Sequence, residues 1–254
     1  MLHFPSCGLW GVWAACPNYC RSGLLIAGVV TEGKRDFPIF EAVVKKLCPA
    51  VEDVLLVHPP GDGLSASRTS GWTGVRRWCR RYGPRLSRFM QDYGDPLDLL
   101  VIQVDASVAS NREINLEQPC PPASDTTNAL RNLVVEWIGG QVPDGVVVVV
   151  PSKTRDAWVC AALMGGDELL ECDPEPLEWL AGVDGLGFRL KQTSDGKVKK
   201  PTARQFDLHL APKVADGFDR VRDVCGEAEW FALQVKAQCA EVRVDQSGGD
   251  EWVR

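Results

Sequence analysis

Three acidic residues each follow an apolar run that is typical of a buried β-strand. Glu32 comes after LLIAGVV, Asp105 comes directly after LDLLVIQV, and Asp156 lies in the helix expected after VVVVV. In open α/β sheets, functional side chains gather beyond the carboxyl ends of the strands. Carboxylates brought together there repel one another and lose hydration, which a divalent cation can offset. Because all these ligands are oxygens, the sequence predicts a Mg²⁺ or Mn²⁺ site.

Each of these acids also has a structural interpretation. Glu32 could cap the helix that follows it, since acids favour the first turn of a helix through its dipole. Asp105 and Asp156 could likewise be a turn residue and a helix cap. The occurrence of all three acids at strand ends, in the expected order, favours a shared site over three separate caps.

A basic segment lies between the second and third apolar runs. No acidic residue occurs between Gly63 and Gln91, while Trp72, Trp78 and Tyr82 do. The segment contains seven arginines: Arg68, Arg76, Arg77, Arg80, Arg81, Arg85 and Arg88. Guanidinium groups suit phosphate oxygens and exposed aromatic rings can stack on bases, so the segment is a candidate nucleic-acid-binding surface. The alternative is a solvated helix face whose aromatic side chains lie in the core.

The order of elements predicts an α/β fold, with a mostly parallel sheet flanked by helices. Expected strands cover residues 24–30, 51–58, 97–104 and 146–150, and expected helices cover 37–47, 75–91, 126–138 and 151–164. The helix over 75–91 carries a possible break at Gly83-Pro84. This α/β domain is predicted over residues 24–165, with a helical extension and tail over 166–254 and a poorly ordered leader over 1–23.

Composition excludes some classes of protein. The chain has 254 residues and a net charge of −6, which argues against indiscriminate coating of nucleic acid or an anionic membrane. The apolar part of residues 1–23 lacks the basic start of a signal peptide and is too short to cross a bilayer. The ten cysteines are scattered, without a C-x-x-C pair, and predict a reduced, cytoplasmic protein without structural zinc.

Two motifs resemble a known family. The pair Glu32-Gly33 with an acid at Asp36, followed by the strand that ends in Asp105, resembles the TOPRIM domain of topoisomerases, primases and OLD-family nucleases. The segment VVVVVPSKTRDAWVCAAL looks like a TOPRIM-like family of unknown function found among bacterial defence genes. The resemblance covers about residues 24 to 165 and implies a Rossmann-like fold.

The resemblance also implies a function and roles for individual residues. It implies Mg²⁺-dependent hydrolysis of nucleic acid in anti-phage defence, with Glu32 as metal ligand or general acid/base and Asp105 as the first acid of a D-x-D pair. Ser107 occupies the second position of that pair, which departs from the family pattern and leaves Asp156 as the candidate third carboxylate. Lys153 and Arg155, close to a helix N-terminus, would hold a phosphate.

The sequence also bears on a partner protein and on two alternative functions. OLD-family nucleases carry an ATPase, and this chain has no Walker A motif, so the resemblance implies an ATPase partner in trans. Ser107 favours a second hypothesis, a catalytically inactive TOPRIM-like module that binds a partner or nucleic acid. A third is a nucleotide-binding α/β protein, which would require the GDGLSA segment at 61–66 to hold a phosphate.

Overall fold

A four-stranded, all-parallel sheet forms the centre of the computed structural model, which describes residues 24–60 and 70–247. The strands are β1 (Leu25–Val30), β2 (Val51–His58), β3 (Leu99–Gln103) and β4 (Val146–Val149). They are arranged in the order β2-β1-β3-β4. The expected α/β fold with a parallel sheet is therefore confirmed, and its assignment to the TOPRIM family stays a prediction.

Some predicted features fall outside the described residues. These are the leader at 1–23 with Cys7, Cys16 and Cys20, the GDGLSA segment, Arg68, and the end of the tail from residue 248 onward.

Helices cover both faces of the sheet. The first face holds α1 (Phe37–Leu47) and α5 (Asp156–Met164), and the second holds α2 (Trp72–Tyr82), α3 (Leu86–Asp92) and α4 (Ser124–Trp137). Side chains along each strand point alternately to the two faces. In β1, Ala27 and Val29 join the core of the first face, while Val30 joins that of the second. Both faces are apolar, which explains the continuous apolar runs of the strands.

The basic helix is broken where the sequence predicts. Helix α2 ends at Tyr82, a 3-10 turn covers Gly83–Arg85, and α3 follows. A Cβ atom at Gly83 would lie 2.4 Å from the Cα atom of Ile138, so the break brings the chain close to the end of α4 in a way that only glycine permits.

The C-terminal part packs against the first face of the sheet, on α1 and α5. It contains α6 (Ala203–Gln205), a π-helical turn (Phe206–Leu210), α7 (Ala211–Asp216), α8 (Phe218–Val224) and α9 (Gly226–Ser247). The sequence predicts helical structure only from Phe218 onward. One of the helices before it, α7, carries Pro212 in its first turn, where proline is tolerated.

Helix α5 begins later than predicted. The sequence places its start at Pro151-Ser152, and the structure places it at Asp156. The residues before it form a loop in which Lys153 has a φ of 48°, a left-handed conformation that does not continue a helix.

Four of the seven cysteines in the described part of the chain form disulfides, so the prediction of unbonded cysteines is wrong for them. Cys48 pairs with Cys239 and Cys120 pairs with Cys172. Pairs this distant in sequence become visible only once the fold brings the residues together. Cys79, Cys160 and Cys225 are buried and unbonded, as expected of small apolar residues. Disulfides are typical of oxidising compartments, so they do not favour the cytoplasmic location, which stays a prediction.

In the described part of the chain, no helix has the length and apolar character needed to cross a membrane.

Candidate active site

The sheet has a topological switch point between β1 and β3. The chain leaves β1 through α1 on the first face to reach β2, and leaves β3 through α4 on the second face to reach β4. The two connections therefore diverge and leave a crevice beyond the carboxyl ends of β1 and β3, where ligands bind in folds of this type. Glu32 follows β1 and Asp105 follows β3, so two of the three predicted acids lie at this crevice.

Glu32 and Asp105 are in direct contact. The backbone N–H of Asp105 donates a hydrogen bond of 2.7 Å to Glu32 Oε1. Gln103, the last residue of β3, connects both acids: its Nε2 donates to Asp105 Oδ1 at 2.8 Å, and its Oε1 accepts from the backbone N–H of Glu32 at 3.3 Å. Gln103 is not among the site residues predicted from the sequence. An amide inside the apolar run LLVIQV is the signal that could have revealed it, because a buried amide needs partners.

The environment raises the pKa of both carboxyl groups. Burial is the main cause of the rise in the pKa of Glu32 from 4.5 to about 7, and the charge of Asp36 adds to it, against the lowering effect of the Asp105 and Trp72 backbone N–H groups and of Lys200. Burial also raises the pKa of Asp105 well above its ordinary value, followed by repulsion from Glu32 and Asp36. Taken as whole residues, Glu32 and Asp105 are partly exposed.

Neither acid of the pair forms an ion pair with a described residue. Within residues 24–60 and 70–247, no lysine or arginine lies within ion-pair distance of Glu32 or Asp105. Two buried carboxylates without an ion pair are costly when both are charged, so a bound cation or a shared proton stabilises them.

Arg155 lies in the interior instead of at the surface. Its side chain is 4% exposed, and its Nε lies 2.9 Å from Asp36 Oδ1. The guanidinium also forms an ion pair with Asp156 and packs 4.1 Å from the centre of the Phe206 ring. Its placement therefore supports a structural role that joins the loop after β1 to α5, and does not support the predicted contact with a phosphate.

Asp156 contacts two basic side chains. Its side chain is 3% exposed and contacts Arg155 on one side and Lys200 Nζ, at 3.1 Å, on the other. Among the described contacts, none joins Asp156 to Glu32 or Asp105. The structure thus brings two of the predicted acids together, while the carboxylate of the third is neutralised by its neighbours.

Lys153 and Ser107 lie beside Asp105. The backbone N–H of Ser107 donates to the carbonyl oxygen of Lys153 at 2.9 Å, which fixes the loop after β4 against the loop after β3. Lys153 Nζ donates to Gln118 Oε1 at 2.8 Å and, as an ammonium, has two further N–H donors. Lys153 is therefore at the same edge as the acid pair, as the sequence predicts.

Lys200 reaches the site from the C-terminal part of the chain. Its positive charge lowers the pKa of both Glu32 and Asp105. The sequence analysis assigned it no role, because nearly 100 residues separate it from Asp105. The only signal was the basic turn TSDGKVKKP within an otherwise acidic stretch.

The basic helices begin at this site and lead away from it. The backbone N–H of Gly71, just before α2, donates to the carbonyl oxygen of Glu32 at 2.7 Å, and Arg76 pairs with Glu113 at 2.6 Å in the loop after β3. At the far end, the carbonyl oxygen of Met90 accepts from the backbone N–H of Leu97, shortly before β3 starts. The start of α2 is thus at the carboxyl edge of the sheet, with Arg76 in its first turns, while Arg85 and Arg88 lie toward the opposite edge.

Glu32 therefore does not cap the helix that follows it in sequence. Its carboxylate faces the backbone N–H of Trp72 at the start of α2, whereas the residue that precedes α1 is Asp36. The alternative of a capping role consequently applies to α2 instead of α1.

Neither the geometry of the acids nor relatives identify a ligand. In the described residues, no group of three or more His, Cys, Asp or Glu side chains is arranged to hold a metal ion. Comparisons of the chain with family models, with curated proteins and with solved structures found no match.

Proposed function

We propose that this protein is a Mg²⁺-dependent phosphodiesterase that cleaves nucleic acid. The observation that carries the proposal is the Glu32 and Asp105 pair at the switch point, in which the Asp105 backbone N–H donates to Glu32 Oε1 at 2.7 Å. Neither acid has an ion-pair partner in the described part of the chain. Mg²⁺ is usually bound by one or two carboxylates together with substrate phosphates, so this donor set fits the ion without a third acid. When bound, the cation supplies charge stabilisation at the phosphate and lowers the pKa of a bound water.

The residues around the pair have complementary roles in this proposal. Glu32, whose pKa burial raises to about 7 in the metal-free protein, is the group that would exchange a proton at a carboxylate oxygen. Asp105 is held in position by Gln103 and contributes a metal ligand. Lys153 and Lys200 attract the substrate phosphate. The ATPase partner and the role in anti-phage defence belong to the same proposal and rest on the TOPRIM resemblance alone.

A specific observation favours a second candidate, a catalytically inactive module that binds nucleic acid or a partner. Ser107 is exposed at the position where the TOPRIM pattern has an acid. Asp36 and Asp156, the other acids nearby, are both in ion pairs with Arg155. Such a module would keep the charged crevice and lack turnover.

A cleavage assay separates the two candidates. The full chain is incubated with single-stranded DNA, double-stranded DNA and RNA, in Mg²⁺, in Mn²⁺ and in EDTA, alone and with any ATPase encoded nearby. The proposal predicts cleavage that requires the metal and is unchanged in Glu52→Gln, since Glu52 is an exposed acid on β2. Binding without cleavage in every condition would favour the inactive module.

The raised pKa of Glu32 predicts a characteristic dependence of stability on pH. Between its ordinary pKa of 4.5 and its folded value of about 7, the folded state binds the proton more tightly than the unfolded state does. Stability without metal therefore falls as pH rises through this window. Glu227, whose pKa burial also raises to about 7, contributes in the same window. Subtracting the melting temperature of Glu32→Gln from that of wild type at each pH removes the contribution of Glu227 and leaves that of Glu32 together with its repulsion of Asp105. A difference that does not change with pH would contradict the assignment.

Removing the charge of Lys200 should change the pKa values of Glu32 and Asp105 without direct contact. Because Lys200 lowers the pKa of both acids, Lys200→Met should raise the pKa values of Glu32 and Asp105. The rising limb of the cleavage pH profile should therefore move to higher pH. The Lys200 side chain is 50% exposed, so the loss of activity at neutral pH is modest, roughly fivefold or less. The adjacent, exposed Lys199→Met is the matched control and should leave the profile in place. Identical profiles for the two variants would remove Lys200 from the site.

A further inference from the structure

A second feature beside the acid pair is a cleft of about 290 Å³ between the basic helices and the end of β2. Pockets that bind small ligands typically measure ~300–1,000 Å³, so this cleft is at the small end of that range and suits one or two planar groups. Six side chains give it its character, and we call it the aromatic cleft: Arg77, Trp78, Arg81, Tyr82, Phe89 and Tyr93.

The rings of the aromatic cleft form one cluster. Trp78, Tyr82 and Phe89 contact one another, with centroid distances of 5.2 Å from Trp78 to Tyr82, 5.3 Å from Trp78 to Phe89 and 4.8 Å from Tyr82 to Phe89. Tyr93 extends the cluster at 5.4 Å from Phe89. Trp78 is buried and anchors the cluster, whereas Tyr82, Phe89 and Tyr93 keep part of their surface exposed and offer π-surface to a flat partner.

Positive charge borders the same cleft. Arg77 and Arg81 are exposed and lie four residues apart, which places them on the same side of α2. The Arg81 guanidinium lies 5.2 Å from the centre of the Tyr82 ring, so ring and charge are presented together. No acidic residue occurs from residue 70 to Gln91. The combination is complementary to a polymer that carries both flat bases and phosphates.

One end of the aromatic cleft lies at the carboxyl edge of the sheet, the edge that also holds the acid pair. His58 and Pro60, at the end of β2, line the cleft there. The backbone N–H of Thr31 donates to the carbonyl oxygen of His58 at 2.9 Å, and Glu32 is the next residue in the chain. The cleft and the acid pair therefore share one edge of the sheet.

We propose that the aromatic cleft binds single-stranded nucleic acid, with one or two unpaired bases against the rings and the adjoining phosphates on Arg77 and Arg81. The faces of bases in a duplex are covered by their neighbours, so only an unstacked strand can use the rings. Ring and guanidinium contacts do not read base edges, so DNA and RNA of any sequence bind alike. This inference deepens the proposed function and rests on it for the class of substrate, but binding requires neither Mg²⁺ nor Glu32.

Fluorescence anisotropy in EDTA tests the proposal without cleavage. The probe is a labelled oligothymidylate of about 12 nucleotides, with an unstructured RNA and a DNA duplex of equal length for comparison. We expect Tyr93→Leu to weaken binding about 5- to 100-fold, the range found when a stacking ring is removed. Arg81→Gln should weaken binding more than Arg88→Gln, which removes the same charge from an exposed site outside the cleft. The duplex should bind at least about tenfold more weakly than the single strand.

Three results would overturn the inference. These are equal losses in Arg81→Gln and Arg88→Gln, a Tyr93→Leu variant that is folded and binds like wild type, and a duplex that binds as tightly as the single strand. If Tyr93→Leu does not fold, the comparison of the two exposed arginines decides alone.

The proposed function fails in a different way. If cleavage requires the metal but is unchanged in the cleft variants, the phosphodiesterase function is supported and the binding role of the cleft is contradicted. If wild type and Glu32→Gln both bind nucleic acid through the cleft and wild type does not cleave it, the binding role of the cleft is supported. The protein is then the catalytically inactive module.

Discussion

Replacing Glu32 by glutamine should abolish most cleavage and leave the fold intact. The amide can still accept the hydrogen bond from the Asp105 backbone N–H, so the crevice keeps its shape. It cannot exchange a proton near neutral pH and has no negative charge for a cation. We expect cleavage to fall about 100-fold or more, as is typical when a positioned acid–base group is lost. The measurement is the initial rate of cleavage in Mg²⁺, with circular dichroism as the check on folding.

The stability of Glu32→Gln distinguishes the site from a helix cap. If Glu32 belongs to a cation site, the metal-free variant should be as stable as wild type above pH 7, or more stable, because its charge no longer repels Asp105 and Asp36. If Glu32 only stabilises the start of α2, the variant should lose about 0.3–1 kcal/mol and keep full activity. A destabilised but fully active variant would therefore contradict the catalytic role.

Replacing Arg155 by methionine should have the largest effect on stability. The variant leaves two carboxylates without their shared partner, and the side chains of Asp36 and Asp156 are only 14% and 3% exposed. Breaking a buried ion pair from one side costs about 3–5 kcal/mol. For a chain of this size we expect the melting temperature to fall by roughly 6–20 °C. Urea denaturation would give the corresponding loss in free energy of unfolding.

Arg88→Met is the matched control for this experiment. Arg88 also pairs with an aspartate, Asp92, but its side chain is 79% exposed, so the loss should stay within about 0.5 kcal/mol. If Arg155→Met proves as stable as Arg88→Met, Arg155 is not the interior cation that the structure describes, and its predicted role in binding phosphate would regain support.

Much of the sheet could be predicted from local sequence. The apolar runs that form β1, β3 and β4 are buried on both faces, and such strands are recognisable because polar residues interrupt them only at their ends. The same logic placed Glu32 and Asp105 at one edge. The break at Gly83 was also visible, since glycine followed by proline rarely continues a helix.

The rest of the site depends on contacts between distant segments. Arg155 lies in the polar stretch Lys153–Asp156, which is typical of a surface loop. It is buried because Phe206 and the loop at Asp36 pack around it. Lys200 reaches the acid pair through the fold of the C-terminal part, which carries no periodic signal at that point. Gln103 was hidden by its own apolar surroundings. Each of these positions takes its role from tertiary packing, which local patterns do not encode.

Calorimetric titration of metal into the metal-free protein at about pH 8, above the pKa of Glu32, tests the central claim most directly. We expect wild type and Glu52→Gln to bind Mg²⁺ or Mn²⁺ at the Glu32 and Asp105 pair, and Glu32→Gln and Asp105→Asn to lose this binding. The affinity of wild type for the metal should weaken as pH falls below about 7. The metal site would be contradicted if wild type binds neither ion, with or without a non-cleavable nucleic acid. It would also be contradicted if the Glu32→Gln and Asp105→Asn variants bind the metal as wild type does.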